Sequence, residues 1–459
     1  MPEPAAAEAF YASRPKAYPR EIDGRFQRLR KLAVLALLGL FYGLPWLSWD
    51  GRQAVLFDLP ARQFHVFGLL FLPQDFFFLT LLLICAALTL FFFTAMAGRL
   101  WCGYACPQTV WTETFLWMER WVEGDRARRM KLDKGPWTTE KVLRKTAKHT
   151  LWIAFSLFTG FTFVSFFTPR TELWQELTQF NLGGWELFWG LFYGFATYGN
   201  AGFLRENVCI YMCPYARFQS AMFDKDTLII TYDEKRGEPR GGRPRGVDPR
   251  QRGLGDCVDC TLCVQVCPTG IDIRDGLQYE CIGCAACIDA CDSVMDRVGY
   301  PRGLIRYATE AAIEGGKTHV LRPRIVIYGL LLTALLVGLG TAVALRTPLN
   351  VDLIADRGRL YREVGDDQIE NVYTLKVVNK SAVSQRYRAA IAGLPGAVIE
   401  TDPPEFELPP GGVAVVPTRI RVPEDAIHRR VSTLTLTVTG ASGVSAQHEV
   451  RFLGPVEDD

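Results

Sequence analysis

The chain has 459 residues, is 49% hydrophobic with 29 Phe and 11 Trp, and carries a formal charge of +2. That length allows about three domains, and the aromatic, apolar composition points to a membrane protein rather than a disordered or fibrous one. A charge this close to zero gives no footprint for nucleic acid, and none is expected as a partner. Twelve of the thirteen cysteines stand at metal-ligand spacings, which argues against a secreted disulfide scaffold and places them in a reducing compartment.

Residues 1–31 are rich in Ala, Pro and Arg and too polar to bury a core, so they read as a cytoplasmic tail without a cleavable leader. The apolar run 32–49 has about the length of a bilayer crossing, with Trp46 and Trp49 suited to the far headgroup layer and Pro45 ending or kinking the helix. Residues 50–75 form a short exterior segment. The run 76–96 returns the chain, with Cys85 as a packed apolar thiol. Residues 99–148 hold eleven Lys or Arg, which places them in the cytoplasm by the positive-inside rule. Within them, Glu113, Glu119, Arg120 and Glu123 alternate with Trp111, Phe115, Trp117, Met118 and Trp121. That pattern fits an amphipathic helix lying on the membrane or one packed on its own neighbours. Runs 151–167 and 185–204 are the third and fourth spans, the latter with Gly194, Gly199 and Gly202 permitting close helix contact. The region 32–232 is therefore expected to be a four-helix transmembrane unit.

Residues 233–256 are a charged Gly/Pro/Arg linker. A ferredoxin-like domain follows at 257–324. In it Cys257, Cys260, Cys263 and Cys267 stand at C-x2-C-x2-C-x3-C before Pro268, and Cys281, Cys284, Cys287 and Cys291 repeat the spacing, with Asp292 where a second proline would stand. Three thiolates of each loop cap one iron–sulfur cubane, and the fourth cysteine of each run ligates the other cluster. The expected ligand sets are Cys257, Cys260, Cys263 and Cys291 for one [4Fe-4S] cluster, and Cys281, Cys284, Cys287 and Cys267 for the second. Gly283, Ala285 and Ala286 keep the second loop small enough for backbone N–H groups to approach sulfur. Structural zinc on C-x2-C pairs is the bland alternative, disfavoured by two matched runs. Residues 325–345 make a fifth span, which puts 346–459 on the side opposite the clusters. There short alternating strands punctuated by Gly, Pro and Asn predict an all-β immunoglobulin-like sandwich. The fold class is thus a multi-domain membrane protein: five transmembrane helices, a cytoplasmic two-cluster ferredoxin module and an extracytoplasmic sandwich.

A second constellation is repeated. Cys102-Gly-Tyr-Ala-Cys106-Pro107 follows span two, and Cys209-Ile-Tyr-Met-Cys213-Pro214 follows span four, so the first four spans read as two related hairpins. Each C-x3-C-P pair offers two soft sulfurs, which favour Cu(I) or zinc over hard cations. Copper binding or thiol redox chemistry, a pair of disulfides, and packing at the membrane rim all stand as readings. The histidines match neither a haem pair nor a catalytic triad, and no glycine-rich phosphate loop follows a strand, so a flavin or NAD domain is not expected.

With WCGYACPQTVW, ERWVEGDR, CIYMCPYARFQ, YDEKRGEPRG, the double ferredoxin run and GYPRGLIRY in place, nearly the whole chain resembles the cytochrome c oxidase accessory proteins of the CcoG, FixG and RdxA type. The resemblance implies a protein of the bacterial cytoplasmic membrane that reduces Cu(II) to Cu(I) during assembly of cbb3-type oxidase. Copper would be its substrate and transient ligand at Cys102, Cys106, Cys209 and Cys213, and the eight ferredoxin cysteines would hold two [4Fe-4S] clusters. The electron donor is open. Oxidase subunits, copper chaperones, membrane lipid and a second copy of the chain are candidate partners. Two other readings stand beside it: a membrane electron conduit of the iron–sulfur quinol dehydrogenase kind, and a scaffold whose clusters serve only structure.

Overall fold

The structure, a computed structural model, describes residues 16–243, 252–356, 358–365, 367–381 and 383–455, apart from the side chain of Ser220. The middle of the expected 233–256 linker and the start of the N-terminal tail lie outside the described residues. The chain divides into two compact units, one built from residues up to Leu44, Leu83–Ser165 and Thr171–Leu336, the other from Pro45–Leu82, Phe166–Arg170 and the chain from Val337 on.

The first unit contains most of the helices and the cysteine-rich module. Its first helix runs Arg25–Gly43, seven residues earlier than the apolar run suggests, and it buries Gln27, Arg30 and Val34. The reason lies far along the chain. Asp289 accepts hydrogen bonds from the backbone N–H groups of Phe26 and Gln27, at 3.2 and 2.7 Å, and so satisfies the first turn in the absence of a local cap. Residues 16–31 are therefore not wholly a free tail.

Helix Pro107–Glu123 opens with proline at its first position, where no N–H is needed. It packs on its neighbours through its acidic face. Glu113, Glu119 and Glu123 are almost completely buried, while Trp121 is exposed. Glu119 pairs with Arg129 and Arg205, each at 3.0 Å, with Lys148 at 3.7 Å and Lys16 at 3.9 Å. Glu123 pairs with Lys145 and Lys148, each at 3.0 Å. Glu113 pairs with Arg30 and Arg120. Buried charges persist only when compensated, and here three carboxylates and seven cations do it for one another.

Helix Thr139–Val164 carries the expected third span in its second half, while its first half supplies Lys141, Lys145 and Lys148. It crosses helix Gly184–Thr197 at very close range. A methyl group on Gly160 would collide with the carbonyl of Gly190, and one on Gly194 would stand 3.3 Å from the carbonyl of Ser156. A methyl group on Gly202 would stand 3.2 Å from the Trp152 ring, whereas one on Gly199 would meet open space. Beyond Thr197 the helix widens into π-helical turns at Tyr198–Leu204 and Val208–Met212, a departure that costs regular hydrogen bonding and clusters at functional sites.

Among the described residues three helices are long and apolar enough to cross a membrane: Arg25–Trp46, Pro73–Ala97 and Pro323–Ala344, with mean hydropathy 1.3, 2.7 and 2.2. The other two expected spans are helical but do not reach that threshold.

In the second unit, two antiparallel sheets form a sandwich. One has the order Val398–Thr401, Val413–Pro423, Gln368–Asn379, Leu349–Ala355, with Arg362–Val364 also on Gln368–Asn379; the other runs Glu405–Leu408, Gln385–Ala392, Val431–Gly440, Ser445–Leu453. Alternate residues turn inward, and Leu375, Val377, Ile420, Leu434, Leu436, Val438 and Phe452 are all fully buried. Tyr373 of one sheet donates its hydroxyl to the Arg451 carbonyl of the other at 2.7 Å. The segment expected to be a short exterior loop forms a three-stranded meander, Val55–Asp58, Gln63–Val66 and Leu69–Phe71. It belongs to this unit: Gln63 donates to the Gly411 carbonyl at 3.1 Å and Asp75 pairs with Lys380 at 2.9 Å.

Candidate metal centres

The cysteine-rich module is closed by an antiparallel pair, Ile229–Tyr232 with Ile305–Ala308, which sets the two ferredoxin runs between them. The two loops have the same conformation. Asp259 and Thr261 in the first have φ of 54° and 55°, and Gly283 and Ala285 in the second have 68° and 60°. Left-handed backbone at a threonine is uncommon and marks a loop shaped for something other than its own stability. Each loop then enters a helix, Leu262–Gln265 or Ala286–Val298. Asp292, in the place of a second proline, accepts the Gly303 N–H at 2.9 Å.

This pseudo-symmetric pair encloses two cavities of equal size. The first, of about 350 Å3, is lined by Cys257, Cys260, Cys263 and Cys291, with Tyr232, Met295 and Leu304 among its apolar walls. The second, of about 340 Å3, is lined by Cys267, Cys281, Cys284 and Cys287, with Cys263 at its border and Ile230, Ile271 and Ile282 around it. The last cysteine of each run has crossed to the other run's cavity, as the two-cluster ferredoxin pattern requires. Among the described residues no three Cys, His, Asp or Glu side chains close on a single metal ion; a cubane spreads its four sulfurs more widely than one ion does. Burial pushes the Cys281 and Cys291 thiols up to about 12 and Cys263 up to about 11, with neighbouring cysteines adding to the rise at each. Thiols like these become thiolates only when cationic metal takes the place of their protons, so donor set, spacing and environment all fit iron–sulfur cores.

The C-x3-C-P cysteines meet this module. Cys102 sits in the short helix Leu100–Tyr104 and packs in one apolar group with Ile282, Cys284, Ala286 and Val266. The next residue, Gly103, has its backbone against the second loop: an added Cβ would stand 2.8 Å from the Gly283 carbonyl oxygen. Arg99 donates to the carbonyls of Tyr279, Cys281 and Ala216, the last two at 3.0 Å, which ties the first motif to both the second ferredoxin run and the helix after the second motif. The Cys102 thiol donates to Gln219 at 3.5 Å, and Gln219, fully buried, donates to the Gly98 carbonyl at 3.1 Å. Gln108, two residues after Cys106, donates to the Asn200 and Arg205 carbonyls at 2.9 and 3.1 Å. Burial pushes Cys102 up to about 11 and Cys209 up to about 12, and both thiols feel Cys106 and Cys213 as well. The cross-ties through Arg99, Gln108 and Gln219 hold the two C-x3-C-P segments side by side, and all four thiols are free rather than paired in disulfides.

Cys209 also lines a small cleft together with Arg30, Arg205, Pro268, Thr269 and Ile282. Burial pushes the Cys284 thiol up, and the Arg30 guanidinium opposes that rise. Tyr307 donates to the Gly283 carbonyl at 2.8 Å. Arg30 reads in the sequence only as part of a basic tail, and Asp289, Gln219 and Tyr307 lie within or at the end of motifs without a role of their own, because their roles depend on partners elsewhere in the chain.

The described arrangement agrees with what the chain is similar to. Residues 204–310 match the family model of a 4Fe-4S dicluster domain, residues 78–128 that of a 4Fe-4S binding domain, and residues 339–455 that of the IG-like fold at the C-terminus of FixG. Protein RdxB of Cereibacter sphaeroides is 42% identical over 397 residues, covering 83% of both chains. The nitrogen fixation protein FixG of Rhizobium meliloti is 38% identical over 426 residues, covering 85% of this chain and 81% of its own. Protein RdxA of Cereibacter sphaeroides is 41% identical over 406 residues, covering 85% of both. With relatives 38–42% identical over more than four-fifths of both chains, the chain belongs to the FixG/RdxA family of iron–sulfur proteins.

Proposed function

We propose that this chain is a membrane-bound iron–sulfur oxidoreductase that reduces Cu(II) to Cu(I) for the assembly of cbb3-type cytochrome c oxidase. The observation that carries the reading is the packing of Cys102 and Gly103 against the second ferredoxin loop, which gives an electron a short route out of the module. Cys257, Cys260, Cys263 and Cys291 would hold one [4Fe-4S] core and Cys281, Cys284, Cys287 and Cys267 the other; bound there, such cores store and pass single electrons at potentials well below copper couples. The chain's own groups do the rest. Apolar walls exclude water, the left-handed loops aim N–H groups at sulfur, and Cys102, Cys106, Cys209 and Cys213 present soft sulfur where Cu(II) arrives. Each Cu(II) takes up one electron, and the module gives up one.

Five crossings, with the basic 99–148 region and the clusters in the cytoplasm and the sandwich outside, complete the topology we propose. The third and fourth spans then lie against the other helices rather than alone in lipid. The sandwich is the surface left for oxidase subunits or copper chaperones. Replacing each rim cysteine by Ser and assaying cupric reduction with ferredoxin iron intact tests the reading; unchanged reduction in all four variants removes copper from this place.

A second reading, a quinol-fed electron conduit, draws on the cleft at Cys209, where Arg30 and Arg205 stand beside apolar surface. Quinol oxidation by the purified protein in the absence of copper would select it.

A further inference from the structure

Thirteen cysteines invite an accounting. Eight line the two ferredoxin cavities. Cys85 is buried within a long apolar helix, 3% exposed, and serves packing. The four that remain are the two C-x3-C-P pairs, and they make a third set of four.

Their local architecture is that of a sulfur ligand set. In both motifs the second cysteine directly precedes a helix that begins with proline, Pro107–Glu123 after Cys106 and Pro214–Ala221 after Cys213. The first free N–H groups of the first of these helices, those of Gln108 and Thr109, thereby stand at the end that Cys106 caps, as the ferredoxin loops run into the helices Leu262–Gln265 and Ala286–Val298. Backbone donors at a helix start favour anionic sulfur. The first pair is cross-tied to the second hairpin by Gln108 and by Arg99, and its backbone lies on the second ferredoxin loop. No three of these side chains close on one ion, which is equally so of the two ferredoxin quartets. Moreover, the segment 78–128 that matches a 4Fe-4S binding domain contains only Cys85, Cys102 and Cys106. With Cys85 set apart in its helix, that segment supplies two ligands and needs two more from elsewhere.

We propose that Cys102, Cys106, Cys209 and Cys213 together hold a third [4Fe-4S] cluster, adjacent to the second ferredoxin cavity, as the last relay before the electron acceptor. The inference rests on the electron-carrier reading above and alters one part of it: Cu(II) remains the acceptor, but the four thiols bind iron rather than copper. One electron enters from the ferredoxin module and one leaves to the acceptor, with no bond made or broken at sulfur and no proton moved.

The test uses the full chain in detergent, purified without oxygen, reconstituted with ferrous iron and sulfide, and analysed for iron, labile sulfide and EPR of the reduced state. About twelve irons per chain are expected, falling to about eight in the C102S/C106S/C209S/C213S variant, with one of three reduced-state signals lost. Should that variant fail to accumulate, Cys213→Ala alone is expected to alter one signal and leave two. About eight irons in the unsubstituted protein, an iron content and spectrum indifferent to these substitutions, or a stoichiometric copper released by them would each overturn the proposal. Cupric reduction by a protein with only about eight irons would leave the proposed function standing and remove this inference alone.

Discussion

Gly103, in the middle of the first C-x3-C-P motif, lies with its backbone on the carbonyl of Gly283, in the middle of the second ferredoxin loop; a methyl group on Gly103 would stand 2.8 Å from that oxygen and 3.0 Å from the carbonyl of Ile282. Neither neighbour is a flexible side chain that could swing aside. Gly103→Ala is therefore expected to push the loops apart and destabilise the module by about 1–3 kcal/mol. Loss of cluster absorbance in a denaturant series checks it, and a midpoint equal to that of the unsubstituted protein would show the contact to be slack.

The exchange of the fourth cysteine between runs gives a prediction that a simple one-run, one-cluster arrangement does not. Cys267→Ser, in the first run, should disturb the cluster in the cavity lined by Cys281, Cys284 and Cys287, and Cys291→Ser, in the second run, should disturb the other. Signals assigned by EPR of reduced single variants decide between the two arrangements.

How much of this was legible in the chain differs by part. The eight-cysteine spacing is rigid because each loop must wrap a cubane, so its partition between two cavities could be written from the sequence. The strands of 346–459 alternate with a period of two and needed no distant partner to be recognised. Arg30 is different. As part of a basic tail it looked solvated, yet it is 4% exposed because Glu113 waits for it in a helix far along the chain. Lys148 and Glu119 likewise look like surface charges until they are brought together. A polar residue's burial is fixed by its partner, and pair formation over long separations leaves no local pattern.

Arg30 bears on potential as well as on packing. Burial pushes the Cys284 thiol up, and the Arg30 guanidinium opposes that rise. Arg30→Gln removes a positive charge from beside the second cavity, so the potential there should become more negative while that of the first cavity stays nearly fixed. The same change leaves Glu113 with Arg120 as its remaining ion-pair partner and is expected to cost up to about 3–5 kcal/mol of stability. A redox titration in which both potentials move together would contradict the assignment.

Glu119 gives the pH dependence. Burial pushes its carboxyl up, but Arg205, Arg129, Lys16 and Lys148 outweigh that and hold it below the usual carboxylate range. Asp133 behaves alike: burial raises it, and hydrogen bonds from Lys145, Tyr18 and Lys16 bring it well below its ordinary value. A carboxyl lowered on folding stabilises the protein above its unfolded-state pKa, and that stabilisation disappears as pH falls through the folded value. Stability should thus be flat across neutral pH and fall on acidification below about pH 4. Glu119→Gln should lower the neutral plateau by about 3–5 kcal/mol and shrink the acid limb, because Arg129 and Arg205 lose their shared carboxylate. An undiminished acid limb in thermal melts of that variant would place the titrating group elsewhere.

The most direct measurement is single-turnover electron transfer. The full-length protein is reduced without oxygen, freed of reductant, and mixed with Cu(II) and a Cu(I)-specific chelator while cluster absorbance and the Cu(I) chelate are followed together. Cluster reoxidation should keep step with Cu(I) formation, and both should slow by on the order of tenfold or more in the C102S/C106S/C209S/C213S variant with its ferredoxin iron intact. Reoxidation by Cu(II) at the same rate in that variant, or a reduced protein that leaves Cu(II) untouched, would contradict the route from the ferredoxin cavities through the rim thiols to copper.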